Sequence, residues 1–272
     1  MNLAALSPAR RVFSSLPALL LICAAASQAA PQAPAVEAFE RTVPLNAGGS
    51  FAISNVNGPI EISGWDRNEV QISARKITSG PAESLREVNI SLDVVPGSVS
   101  VATHYPDGSG VEVNVEFRVR VPARVRLASV STVNGSVMIS DVSGAGVLST
   151  VNGNVVLARA AGPYSARSTN GNISLELLSF AGGLTPDVAP ADNAPLIAKT
   201  INGSVAISLP PGAGAELDAD TRNGDFSSEL PLLAHTLAAG RSIRGRVGPG
   251  GPLLQLRTVN GSIRLRISRP LV

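Results

Sequence analysis

The chain has 272 residues, with 22 Lys and Arg against 20 Asp and Glu, one cysteine and only 3% aromatic residues. A single cysteine excludes a disulfide-stapled scaffold, and the near balance of charge excludes a strongly basic nucleic-acid binder. About 225 ordered residues are enough to bury one sizeable core.

Residues 1–29 read as a secretory signal peptide. Arg10 and Arg11 supply the positive start, Leu16 to Ala26 an apolar run, and Ser27-Gln28-Ala29 a small-x-small cleavage site. Ile22 stands before Cys23, where a lipid-attachment site wants a small residue, so the mature chain is expected to begin near Ala30 without lipid. The expected location is the periplasm, the outer-membrane surface or the extracellular space. Loss of Arg10 and Arg11 leaves 20 basic against 20 acidic residues, and no later apolar stretch is long enough for a transmembrane helix. Residues 30–45 read as an N-terminal linker and 46–272 as one domain.

Within that domain a phrase recurs. Thr-Val-Asn-Gly or a close relative places an Asn-Gly at Asn57, Asn134, Asn152, Asn170, Asn202, Asn223 and Asn260. Asn134, Asn152 and Asn170 are spaced 18 residues apart. Alternating apolar residues follow each turn: Val137 and Ile139, Val155 and Leu157, Ile173 and Leu175, Val205 and Ile207, Ile263 and Leu265. Two residues before each Thr (Ser168 in one copy) stand Val130, Leu148, Ala166, Ala198, Ala219 and Leu256. Strand parity puts these on one face with the Thr and the Asn, and puts Ser131, Ser149, Arg167, Lys199, Asp220 and Arg257 on the wet face.

A unit of this length cannot bury its own apolar face, but stacked copies can. The fold expected is all-β, a right-handed parallel β-helix, or β-solenoid. A hairpin meander is the alternative, since Asn-Gly also suits two-residue hairpin loops, but the same-face pattern recurring every 18 residues favours coils. The Asn residues are expected to form an inward turn ladder at a buried corner, with Gly supplying a positive φ. Residues 66–125 alternate as longer strands and read as an inserted or capping antiparallel sheet, with Arg118, Arg120, Arg124 and Arg126 on its wet face. Residues 179–195 read as a loop from their Pro, Gly and Asp content.

The segment FERTVPLNAGGSFAISNVNGPIEISGWDRNEVQISARK, from Phe39 to Lys76, followed by RVPARVRLASVSTVNGSV, resembles the bacterial "putative adhesin" β-strand-repeat family. The likeness rests on the Phe-x-x-x-Val-Pro lead-in, Gly49, Asn55-Val56-Asn57-Gly58, Gly64-Trp65-Asp66 and the repeated Thr-Val-Asn-Gly, and covers most of residues 37–269. It implies a secreted or periplasmic β-repeat protein and brings no catalytic residues.

The residues themselves point the same way. A carbohydrate-active β-helix enzyme, a polysaccharide lyase or hydrolase, is the alternative, but its chemistry needs clustered carboxylates, and the acids here are scattered. The densest group, Glu216, Asp218, Asp220 and Asp225, has Arg222 where a calcium loop needs a ligand. His104 and His235 are the only histidines and lie far apart. No catalytic residue, metal or cofactor is expected. What remains is a surface. Val133, Val151, Ile201 and Val259 lie between Thr and Asn, opposite in parity to the inward set, and form a candidate partner-docking stripe. After Glu229 there are seven Arg and no acidic residue. The expected partners are an envelope protein or an anionic polymer, lipid headgroups included, and not nucleic acid.

Overall fold

The computed structural model describes residues 33–106, 110, 112–179, 194–238 and 241–268. The expected leader and nearly all of the expected 179–195 loop lie outside the described residues. In chain order the elements are β1 (Ala35–Pro44), β2 (Ser50–Ser54), β3 (Ile60–Trp65), β4 (Glu69–Thr78), α1 (Ser84–Glu87), β5 (Asn89–Val95), β6 (Ser98–His104), β7 (Asn114–Pro122) and β8 (Arg126–Asn134). They continue as β9 (Val137–Ser140), β10 (Gly146–Asn152), β11 (Val155–Ala161), β12 (Tyr164–Asn170), β13 (Ile173–Ser179), β14 (Leu196–Lys199) and β15 (Val205–Leu209). The last are β16 (Ala215–Asn223), β17 (Phe226–Ser228), β18 (Leu232–Ala238), β19 (Ser242–Val247), β20 (Leu253–Asn260) and β21 (Ile263–Ile267).

These strands build two large mixed sheets. Sheet I has ten strands in the order β1-β4-β7-β3-β9-β11-β13-β15-β21-β17, and sheet II has eleven in the order β18-β19-β16-β20-β14-β12-β10-β8-β2-β6-β5. The two halves of each repeat part at the Asn-Gly turn. The half before it joins sheet II and the half after it joins sheet I. Equivalent residues of successive copies then pair in parallel: Leu148 lies opposite Val130 and Ala166, and Leu157 opposite Ile139 and Leu175. These rows are buried between the sheets, with Leu148 and Val155 fully covered. Each large side chain so buried contributes about 1.5–3 kcal/mol of transfer free energy.

Two features differ from the sequence reading. The sheets are mixed rather than wholly parallel, and residues 66–125 do not make a separate sheet. β4 and β7 extend sheet I while β5 and β6 extend sheet II. The reason is continuity of the inner rows. Phe117 and Val119 of β7 pair in parallel with Ile60 and Ile62 of β3, so the core simply carries on. The outer strands then reverse: β4 and β1 run antiparallel beyond β7, and β5 antiparallel to β6. The far end of sheet II finishes the same way, with β19 antiparallel to β16 and β18 antiparallel to β19. The stacking order also departs from chain order. The Asn260 copy lies between the Asn202 and Asn223 copies, because β20 pairs with β14 on one side and β16 on the other.

Candidate functional site

Every Asn-Gly unit turns the chain from sheet II to sheet I, so the units line up as one corner. At this corner the strand parity expected from the sequence holds through the Thr and the residue after it, and fails at the Asn. Thr132, Thr150, Ser168, Thr200, Thr221 and Thr258 are buried. Their hydroxyls donate to the carbonyl of the corner glycine in the neighbouring copy: Thr150 to Gly135 at 2.8 Å, Ser168 to Gly153 at 2.9 Å, Thr258 to Gly203 at 2.8 Å. In the first copy Asn55 holds the Thr position. It is buried, donates Nδ2 to the Val115 carbonyl at 2.8 Å and accepts from Thr103 at 2.9 Å, which closes the inner row.

The Asn side chains lie on the other side. Asn134, Asn152, Asn170, Asn202, Asn223 and Asn260 are exposed and Asn57 is half-buried, so the inward ladder expected from parity is corrected to an outward one. The turn begins at the Asn, and a bending backbone no longer alternates its side chains strictly between two faces. The ladder itself is continuous. Asn134 Nδ2 donates to Asn57 Oδ1, Asn152 to Asn134, Asn170 to Asn152, Asn202 to Asn170, Asn260 to Asn202 and Asn223 to Asn260, at 2.8–2.9 Å. A third row follows the glycine: the backbone N–H of Asn172 donates to Asn154 Oδ1 and that of Ser204 to Asn172 Oδ1.

The positive φ expected of the corner glycines holds at Gly58 and Gly261 and not at the other five. Gly135, Gly153, Gly171, Gly203 and Gly224 are not in the left-handed region. They are required because the copies approach too closely for a side chain: a Cβ on Gly153 would stand 2.0 Å from the Gly135 carbonyl oxygen.

Outside the corner lies the stripe. Val133 and Val151 are each 40% exposed and Ile201 is 47% exposed, while Val259 is half-buried. Thr169, half-buried, interrupts the row between Val151 and Ile201, and Arg222, exposed, stands at its end beyond Val259.

No protein-family model matches the chain, and none of the curated proteins matches it. Among solved structures, the chain is similar to a "putative cell adhesion protein" from Clostridium sporogenes, with 10% identity, a TM-score of 0.42, and 85% of this chain and 100% of that one covered. It is similar to a "putative adhesin" from Bacteroides fragilis, with 12% identity, a TM-score of 0.41 and coverage of 86% and 98%. A "putative lipid binding protein" from Parabacteroides distasonis aligns with 8% identity, a TM-score of 0.28 and coverage of 84% and 96%.

The other candidate groups are dispersed or engaged. His104 is on β6 and His235 on β18, toward opposite ends of sheet II. Among the described residues no three His, Cys, Asp or Glu gather where they could hold a metal ion. Asp218 is held by Arg257, with Nη1 at 3.0 Å, and by Arg244 at 3.4 Å. Burial alone would raise its carboxyl, but the two guanidinium groups bring it below the ordinary carboxylate range. Asp141 is likewise lowered by hydrogen bonding to Arg159. Arg118, Arg120 and Arg126 are exposed and Arg124 half-buried. Tyr164 is buried against Gly146 with no partner for its hydroxyl, and burial pushes its phenol up. Among the described residues no helix is long and apolar enough to cross a membrane.

The inner Thr ladder and the post-glycine ladder were missed by sequence reasoning. Their signal was present as the hydroxyl residue two places before every Asn but Asn57 and the Ser, Asn or Asp after nearly every Gly.

Proposed function

We propose that this chain is an exported cell-envelope β-repeat protein, a stacked β-solenoid that acts without catalysis by docking a partner along its outward corner. The observation that carries this reading is the exposure of Val133, Val151 and Ile201 on in-register copies beside the Asn ladder. Bonded amides hold that edge straight and rigid. A row of β-branched side chains on a rigid edge offers apolar contact area at little entropic cost, because these side chains are already stiff. Isolated exposed apolar residues are ordinary, but an aligned row favours a covered face.

The test replaces the row by threonine, V133T/V151T/I201T, which keeps β-branching and strand preference. The triple variant is expected to fold with an unchanged circular dichroism spectrum and to lose at least fivefold of its cross-linked envelope contact in intact cells. An unchanged cross-linking pattern and oligomeric state in a folded variant overturns the reading.

A further inference from the structure

The outer face of sheet II carries an unusual arrangement of charge immediately beside the stripe. On neighbouring parallel strands, Ser131, Ser149, Arg167, Lys199, Arg257 and Asp220 pair directly with one another in that order. Lys199 therefore stands between two guanidinium groups. Elsewhere the registers oppose unlike charges: Glu37 with Lys76, Arg75 with Glu116, Glu61 with Arg118, Glu216 with Arg246, Asp218 with Arg244. Among the described strand pairs, only Arg167–Lys199 and Lys199–Arg257 place like charges opposite, an arrangement that destabilises a sheet. Arg257 is neutralised by Asp218. The side chains of Arg167 and Lys199 have no ion pair or hydrogen bond among the described residues, with Arg167 exposed and Lys199 half-buried.

We propose that Arg167 and Lys199 form an anion site, and that its occupant is a linear anionic polysaccharide lying across the strands. The proposal rests on the surface-docking reading above and names its ligand. Successive copies sit about 4.8 Å apart, close to the repeat of an extended sugar chain, so consecutive anionic groups along the polymer meet Arg167 and Lys199 in turn. Ser149 and Ser131 continue the row as hydroxyl donors and acceptors. The stripe residues two places along each strand, Val151 beside Ser149 and Ile201 beside Lys199, cover the apolar faces of the rings. The favourable term is the exchange of mutual cation repulsion for paired charge, so binding weakens with salt.

Fluorescently labelled polygalacturonate is titrated into the full exported chain at low and at physiological salt, with neutral dextran and phosphatidylglycerol vesicles as parallel probes. R167Q/K199Q is expected to weaken polygalacturonate binding at least tenfold. R264Q/R266Q, which removes two exposed arginines from sheet I, should change it less than twofold. R167Q/K199Q should also melt at the same or a higher temperature than the unaltered chain, since it removes the opposed charges. Equal losses in the two variants show non-specific charge attraction and overturn the site. Binding to the vesicles but not to the glycan shows a membrane surface and overturns the ligand, as does no binding to either. Release of new sugar ends from polygalacturonate overturns both this proposal and the non-catalytic reading. A loss confined to V133T/V151T/I201T, with R167Q/K199Q unaffected, overturns the anion site while leaving the docking stripe intact.

Discussion

The inner and outer sides of the Asn-Gly corner carry two parallel hydrogen-bond ladders, and they differ in what surrounds them. The inner one joins Thr hydroxyls to glycine carbonyls in a dry interior. The outer one joins Asn amides to one another in water. The bond lengths are nearly the same, yet an unmade bond costs about 1–3 kcal/mol inside and much less where water replaces it. A regular ladder is therefore evidence of register, and only its burial says how much stability rests on it.

The sharpest way to break the comparison is to attack the contact both ladders share. Gly153→Ala drives a methyl group against the Gly135 carbonyl and should destabilise the fold by about 3 kcal/mol or more in chemical denaturation, because the obstacle is backbone. Thr150→Val keeps the shape of the inner residue and removes its hydroxyl from the Gly135 carbonyl. It should cost about 1–2 kcal/mol by the same measurement.

An outward interaction can approach that size when it is charged and partly shielded. Asp218→Asn should cost about 1 kcal/mol at pH 7. The folded-state carboxyl is lowered, so its contribution is present above the unfolded value of about 3.9 and disappears as the pH falls through the lower folded value. Denaturation midpoints of the two proteins should therefore converge as the pH is taken well below 4. Asn152→Ala removes one rung of the outer ladder, bonded to Asn134 and Asn170, and should cost only about 0.5–1 kcal/mol. A loss equal to that of Thr150→Val would show that the outer ladder is as shielded as the inner one. Arg167→Ala, on the outer face of sheet II, should change stability by less than about 0.5 kcal/mol. A larger loss in thermal and chemical denaturation would mean that its aliphatic stem packs on the sheet.

Much of this architecture was legible because β-strands alternate strictly. The residues Val130, Leu148, Ala166, Ala198 and Leu256, set against Ser131, Ser149, Arg167, Lys199 and Arg257, mark the inner and outer faces without any structure. The same rule misled at the corner. It carried the Asn inward with the Thr, although the chain bends there and the Asn leaves the interior. The glycine was recognisable as obligatory, but the positive φ expected of it holds only at Gly58 and Gly261, and the close approach between copies that the corners share is not visible in one copy. The half-legible case is the stripe: its outward direction followed from parity, while the charged row beside it emerged only when copies were set in register.

By itself the sequence determined the unit, a strand, an Asn-Gly corner and a second strand, because apolar alternation and turn chemistry act within a dozen residues. It determined which residues of each strand face the core for the same reason. Only the tertiary structure decided which copies are neighbours. The Asn260 copy lies between those of Asn202 and Asn223, and Lys199 lies between Arg167 and Arg257. Copies this alike offer nearly equivalent edges to one another. The choice among them is a matter of pairing between strands far apart in the chain, in both sheets at once, a condition that no local pattern contains.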